Sequence, residues 1–279
     1  MTTHLLDQIQ LANELLPTSL GFVVGFILSL TGAGGAILSV PLLVFGMGLS
    51  VSQAGPIGLL AVSISAGIGS IFGLKERILR YKAAGLMAMF GLTLSPIGLY
   101  AAHQLPNKPL TLIFSIVLFY ASIRMMIQSY KEAKGILNEQ QKIVPCLLNQ
   151  SIGKLIWTVP CARSLALAGG VAGFFSGLLG VGGGFIIVPA LKKVTDLPVA
   201  SIVATSLGVL TIVSLGGVIN STLAGLMMWP IAIPFAGGSL VGLMIGRTIA
   251  KKLAGPTIQQ IFAIFSFCVA VMMGIKGLS

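Results

Sequence analysis

The sequence of this chain contains two copies of one pattern. Residues 21–126 align with residues 169–274 without a gap, at a constant shift of 148 positions, and about a quarter of the 106 paired positions are identical. Because the identities are spread along the whole length, chance similarity between apolar helices does not explain one unbroken register. Duplicated halves in an apolar chain are typical of secondary transporters, in which the substrate site lies where the halves meet.

The composition predicts an integral membrane protein. Hydrophobic residues make up 56% of the 279 residues and charged residues only 8%, whereas soluble domains carry roughly a quarter charged residues. Six apolar runs are long enough, or nearly so, to cross a bilayer as helices; they are 56–74, 83–102, 110–127, 199–219, 229–246 and 257–275. Glycine-rich apolar segments at 20–47 and 165–191 precede the first crossing of each copy.

The positions of the basic residues indicate how the glycine-rich segments fold. If each segment dips into the membrane and returns to its own side, three crossings per copy remain, and fifteen of the seventeen Lys and Arg residues fall on one side. The positive-inside rule requires such a bias. If each segment crosses instead, the eight crossings divide the basic connections between the two sides. We predict the first arrangement, with both termini outside, and keep the eight-crossing arrangement as an alternative.

The predicted fold class is therefore an all-α integral membrane protein with two inverted repeats, each a broken or re-entrant helical hairpin followed by three transmembrane helices. The predicted domains are an N-terminal amphipathic segment (1–20), repeat 1 (21–130), a cytoplasmic linker with some amphipathic helix (131–164) and repeat 2 (165–279). The N-terminus does not resemble a signal peptide, because Asp7 and Glu14 interrupt it and it lacks a basic start.

Each predicted hairpin carries a glycine cluster, Thr31-Gly32-Ala33-Gly34-Gly35 in the first copy and Gly180-Val181-Gly182-Gly183-Gly184 in the second. Glycine weakens a helix by about 1 kcal/mol per residue, so clusters this dense predict a break. Broken backbone at membrane depth must line protein or a watery cavity, and the helix that restarts after the break points its N-terminal amides at it. Such an end attracts anions, so we predict that both clusters bind substrate.

Other glycines have a different interpretation. The pairs Gly21/Gly25, Gly69/Gly73, Gly238/Gly242 and Gly242/Gly246 have the four-residue spacing that lets two helices approach closely. We expect these pairs to serve packing.

The helix that follows the second cluster carries hydroxyl groups, of which Thr205 and Ser206 are the pair predicted to contact the substrate directly. Serine and threonine side chains in a helix often bond their own backbone instead, and we expect this of many of the remaining hydroxyls.

The apolar runs lack acidic residues and histidines, and this disfavours several classes of function. All six acidic residues fall in tails or connections, and His4 and His103 lie near segment ends. A membrane proton relay, an embedded hydrolase and a divalent-cation site all need such side chains at depth. The three cysteines have no CxxC or histidine-rich spacing and imply neither a metal site nor a disulfide framework. Nucleic acid is not an indicated partner, because the basic residues carry no aromatic interleaving.

At the glycine clusters the chain resembles the sulfite exporter TauE/SafE family, also described as the toluene-sulfonate uptake permease group. The motif G-F-x-x-x-L-x-G-x-G-G-x-x-x-x-V-P stands at Gly25–Pro41 and again at Gly173–Pro189, and A-T-S-L-G-V stands at Ala204–Val209. The resemblance covers about 21–126 and 169–275 and implies transport of sulfite, sulfonates such as sulfoacetate, or related small organic anions across the bacterial inner membrane.

One position departs from the family pattern. Pro56-Ile57-Gly58 stand where the second copy has Ala204-Thr205-Ser206, so the two copies are not expected to contribute equally to the site.

The sequence thus predicts a secondary transporter rather than an enzyme, without a cofactor, whose partners are a small anionic substrate and membrane lipid. A homodimer is left open. Export is the favoured direction, because an anion leaving a negative cytoplasm gains about 2.3 kcal/mol per charge per 100 mV. The alternatives are an anion channel, a permease for another small organic anion or ion, and a membrane scaffold or enzyme subunit that transports nothing.

Overall fold

The computed structural model describes residues 2–31, 34–133, 145–149, 154–155, 157–253 and 256–278. The first copy contains α1 (Thr2–Thr31), α2 (Gly34–Gly46), α3 (Val51–Lys75), α4 (Tyr81–Gln104) and α5 (Asn107–Ala133). The second contains α6 (Val159–Leu179), α7 (Gly184–Val194), α8 (Val199–Leu223), α9 (Trp229–Leu253) and α10 (Pro256–Leu278). Each copy therefore has one long helix, one short helix and three further long helices in the same order.

The six predicted crossings are confirmed as α3, α4, α5, α8, α9 and α10. Within the described part of the chain, α6 is a seventh helix long and apolar enough to cross a membrane. The first arm of the second hairpin is thus longer than predicted. The first arm of the first hairpin is longer as well, because α1 runs without interruption across residue 20, where the N-terminal segment was expected to end.

Both short helices fold back along the long helix that precedes them. An added methyl group at Gly35, in the first turn of α2, would meet the backbone of Leu28 and Val24. At the other end of α2, Gly46 lies against the side chain of Leu20. The hairpin of the second copy has the same geometry, since Gly183 lies against Ala172, the position that corresponds to Val24.

Contacts between distant segments place the basic connections at one end of the bundle, which we call the basic end. Arg247 of α9 forms an ion pair of 2.9 Å with Glu76, just after α3. The amide of Cys146 in the linker donates to the carbonyl of Val194 at the end of α7. In the eight-crossing alternative these partners would lie on opposite sides of the membrane, so that alternative is wrong.

Equivalent helices of the two copies run in opposite directions. Along the contact between α3 and α8, Gly73 faces Ala204 and Leu59 faces Gly217, so that one helix ascends while the other descends. Helix α5 packs against α10 as well. This is the arrangement expected of two copies that are inverted relative to each other.

Close helix packing is repeated at equivalent positions. Helix α1 packs along α9, and its counterpart α6 packs along α4, the counterpart of α9. The corresponding contacts are Gly21 with Phe235 and Gly25 with Ser239 in one pair, and Gly169 with Met87 and Gly173 with Gly91 in the other. Each of these glycines would collide with the opposite backbone if it carried a side chain, which confirms the packing interpretation for Gly21 and Gly25.

The linker contains a feature that the sequence analysis did not anticipate. Cys146 and Cys161 form a disulfide, contrary to the inference drawn from cysteine spacing. The strands β1 (Leu148–Asn149) and β2 (Lys154–Leu155) pair as an antiparallel hairpin between them, which brings the chain back to the start of α6. About half of the segment for which an amphipathic helix was expected (131–164) lies outside the described residues, namely 134–144, 150–153 and 156.

Candidate functional site

The helix break predicted in the second copy lies between α6 and α7. Gly180 caps α6 with a φ of 69°, and Gly182 and Gly183 have φ values of 71° and 75°. Side chains other than glycine rarely adopt this left-handed conformation, so the cluster turns the chain where an ordinary residue would strain it. Gly184 then begins α7, whose N-terminal amides point back toward the break.

The first copy has its break at the equivalent place. Helix α1 ends at Thr31 and α2 begins at Gly34; the predicted site residues Gly32 and Ala33 lie outside the described residues. The Thr31 hydroxyl donates to the carbonyl of Ile27 at 2.9 Å. Gly35, as described above, packs against the long arm of its own hairpin.

A large cleft reaches the residue before the first break and the residue after the second. It has a volume of about 590 Å³, lies between α5, α6 and α7, and reaches both Thr31 and Gly184. This volume falls within the range of ordinary ligand sites. The cleft therefore brings together one predicted site residue from each copy. Its wall is formed by apolar side chains, among them Ile116, Val117, Val171, Phe175, Phe185 and Val188.

The basic end of the cleft carries three cations, Arg124, Lys192 and Lys193. The Arg124 guanidinium donates to the hydroxyl of Tyr120 at 3.1 Å, in the same wall. Three positive charges around one concave surface raise the local concentration of anions. In the sequence, the positions of these residues indicated only which ends of the helices share one side of the membrane. Arg124 nevertheless gave a usable signal, since it is the single charged residue within the six predicted crossings.

A second, much smaller cavity lies on the other side of the α6–α7 break. It has a volume of about 10 Å³, enough for one water molecule. It is lined by Gly180 and by residues from the opposite end of the bundle, including Ser52 at the start of α3 and His103 at the end of α4. The segment Gly180–Gly183 therefore lies between the cleft and this small cavity.

Four further predicted residues, Val181, Gly182, Thr205 and Ser206, are buried. Val181 and Gly182 lie within the protein, and an added methyl carbon at Gly182 would lie 2.8 Å from the Ser214 hydroxyl. Thr205 accepts a hydrogen bond from the backbone amide of Arg80 at 3.1 Å, and the Ser206 hydroxyl donates to the carbonyl of Val203 at 2.8 Å.

The structure does not bring Thr205 and Ser206 into the cleft; both side chains instead stabilise the connection after α3 and their own helix. A direct substrate contact by this pair stays a prediction.

Comparisons with known proteins give one consistent result. The family model described as Sulfite exporter TauE/SafE matches residues 18–273. The probable membrane transporter protein YunE of Bacillus subtilis is 26% identical over 93% of this chain and 96% of its own length. A probable membrane transporter protein of Methanocaldococcus jannaschii is 30% identical over 83% of this chain and 86% of its own length. No solved structure gives a significant match.

Proposed function

Because the chain belongs to the sulfite exporter TauE/SafE family of membrane transporters, we propose that it is a secondary transporter of small anions, sulfite or organosulfonates such as sulfoacetate, that works by alternating access. We place it in the bacterial inner membrane as a multi-pass protein. The substrate-binding residues in this proposal are those of the two glycine clusters, with Thr205 and Ser206 as further candidates.

The observation that carries the proposal is the cleft, which runs from the basic end to Thr31 and Gly184 beside the two helix breaks. An anion attracted by Arg124, Lys192 and Lys193 can move along the cleft to Thr31 and to the first amides of α7 at Gly184. Those amides carry the partial positive charge of a helix N-terminus. The cleft therefore offers favourable electrostatics from its mouth to its deepest point.

The position of the cations supports export as the direction of transport. The positive-inside rule places the basic end in the cytoplasm, so the open cleft collects anions from the cytoplasm. An exported anion then gains about 2.3 kcal/mol per charge at 100 mV. Export consequently needs no coupled ion, in keeping with the lack of acidic residues in the predicted crossings.

The second cavity supports a carrier rather than a channel. Because the backbone of Gly55 lies against Gly180 and the cavity there holds no more than one water molecule, the proposed path is closed beyond the helix break. A carrier has such a barrier on one side at a time.

The experiment is flux into liposomes that contain the purified protein. We expect uptake of sulfite or sulfoacetate that saturates with concentration, responds to an imposed membrane potential and shows counterflow when unlabelled anion is present inside. Protein-free liposomes, and liposomes with a protein variant locked as described in the Discussion, are the controls. Saturable flux without counterflow would indicate a channel, and no flux of any anion in the panel would refute the proposal.

A further inference from the structure

Two serine hydroxyl groups on α8 are fully buried and have no hydrogen-bond partner among the described residues. They belong to Ser214 and Ser221, both 0% exposed. Other hydroxyls on the same helix bond the backbone of the preceding turn, as Ser206 does to Val203 and Thr211 does to Leu207. Any serine in a helix can form such a bond. Its absence at these two positions therefore requires an explanation.

The two hydroxyls lie on one face of α8 beside the helix break. Residues seven positions apart share a face and are separated by about 10 Å along the axis. Ser214 lies against Gly182, as noted above, and Ser221 lines the small cavity together with Gly180 and Gly55. The pair therefore lies along the segment Gly180–Gly183, which is between the cleft and the small cavity.

A buried hydroxyl without a partner costs free energy, because it has lost its water and gained nothing in return. Native structures keep such groups rarely, and each one calls for an explanation, such as a bound ion or a water molecule. Both hydroxyls here are next to a cavity or to backbone in a conformation only glycine readily adopts. A ligand that enters the break would find two donors already free of competing bonds within the described protein.

We propose that Ser214 and Ser221 form two successive binding positions along which the anion crosses the helix break, each donating a hydrogen bond to one of its oxygen atoms in place of water. The inference rests on the proposed function and names the part of the path that the cleft does not include. The ligand class is a small oxyanion group that has lost part of its hydration shell.

The chemistry of these positions suits passage rather than tight retention. Hydroxyl groups replace water around an anion without adding a full positive charge, and a transport pathway requires binding that is favourable yet weak enough for release. The surroundings also restrict size, because the backbone of Gly55 already lies against Gly180. Passage therefore requires this contact to open, and an oxyanion group needs a smaller opening than a bulky apolar body does.

The test replaces each hydroxyl and uses a matched control. We would compare Ser214→Ala and Ser221→Ala with Ser266→Ala. Ser266 on α10 is also buried and without a partner in the described part of the chain, but it lines neither cavity. We expect sulfite or sulfoacetate flux to fall about tenfold or more in each α8 variant, the usual scale for losing a hydrogen bond to an ion. The control should keep its flux. Thermal stability should be unchanged or raised in all three, since an unpartnered hydroxyl is removed.

The outcomes separate the two claims. If the unaltered protein transports none of the anions, the proposed function fails. If it transports while the α8 variants match Ser266→Ala, the hydroxyls hold only structural water and this inference is overturned. Should an alanine variant not fold, Ser214→Cys and Ser221→Cys retain the volume with a weak donor. Anion-dependent thermal stabilisation of those variants equal to that of the unaltered protein would overturn the inference in the same way.

Discussion

The two short helices have equivalent places in the two copies but opposite surroundings. On α2, Ile37, Leu38, Val40 and Val44 are at most 3% exposed. The corresponding residues of α7, in the same order, are Phe185, Ile186, Val188 and Lys192, and all four line the cleft. One copy therefore has its short helix sealed in the core, while the other presents it to a cavity.

The difference arises from the last helix of each copy. Helix α10 packs against α2, and the Lys276 ammonium donates to the carbonyl of Val44 at 3.5 Å and lies 5.3 Å from the centre of the Phe45 ring. The counterpart helix α5 stands away from α7, with Gln128 and Lys193 on opposite walls of the cleft. Under the proposed alternating access, the second state exchanges these arrangements, so that α10 leaves α2 and α5 closes on α7.

The largest expected effect comes from locking the sealed side. Phe45→Cys with Lys276→Cys, in a Cys268→Ser background, should react with a short bifunctional thiol reagent that ties α10 to α2. Flux in liposomes should then be abolished, because the carrier cannot open on that side, and cleaving the cross-link with reductant should restore it.

The matched pair for this lock is Gln128→Cys with Lys193→Cys, at the corresponding positions of the open side. It should cross-link slowly, and faster when anion drives turnover. Unimpaired flux through fully cross-linked Phe45→Cys/Lys276→Cys protein would show that α2 and α10 do not separate.

Thiol labelling measures the same contrast without transport. Val188→Cys on α7 and Val40→Cys on α2 are equivalent positions, one lining the cleft and one 0% exposed. A water-soluble thiol reagent should modify the first readily and the second hardly at all, because reaction requires access to the thiolate. Mass spectrometry in the Cys268→Ser background gives both rates. Equal rates would show that the two short helices are equally exposed.

Gly183 and Gly35, the equivalent glycines at the starts of α7 and α2, should differ in their tolerance of a side chain. Gly183→Ala combines a φ of 75° with a collision against the Ala172 carbonyl. About 1–2 kcal/mol for the left-handed conformation and about 1–3 kcal/mol for the overpacking should lower the melting temperature markedly. In Gly35→Ala the added methyl group meets the backbone of Leu28, but the residue lies within a regular helix. This variant should therefore lose only the stability that overpacking costs.

The control for strain is Gly225→Ala, where φ is 71° and no atom lies near the added methyl group. This variant should lose only the stability that the left-handed conformation costs. Melting temperatures in detergent that rank Gly183→Ala no lower than Gly225→Ala would contradict the close approach of α7 to α6.

The smallest effect is expected from the cations of the open side. Single changes of Arg124, Lys192 or Lys193 to Gln should raise the half-saturating anion concentration by about threefold to fivefold, since partly exposed charges contribute up to about 1 kcal/mol. The effect should diminish with added salt. Lys75→Gln, at the same end but outside the cleft, is the control, and an equal effect there would indicate general charge attraction rather than a site.

Much of the fold could be predicted because it depends on local patterns that the bilayer enforces. The apolar runs marked six helices, and the glycine cluster at Gly180–Gly184 marked a break that the structure contains. The basic connections predicted one common end, which the ion pair between Glu76 and Arg247 confirms.

The site was predicted only in part. Thr31 and Gly184 both line the cleft. The hydroxyl of Thr205, however, accepts a hydrogen bond from the amide of Arg80, a residue far away in sequence. Ser214 and Ser221 look like any helical serines in the sequence, since only the structure shows which hydroxyls lack a partner. The disulfide between Cys146 and Cys161 depends on how the linker folds back, for which cysteine spacing gave no signal.

The amino-acid sequence by itself determined that two copies of one hairpin and three helices span a membrane with most of their positive charges at one end, because hydropathy, glycine content and charge act on each segment separately. Only the tertiary structure decided which copy is open. The two copies share a pattern, so the choice between a sealed α2 and an exposed α7 depends on packing between helices that are distant along the chain, such as α2 with α10.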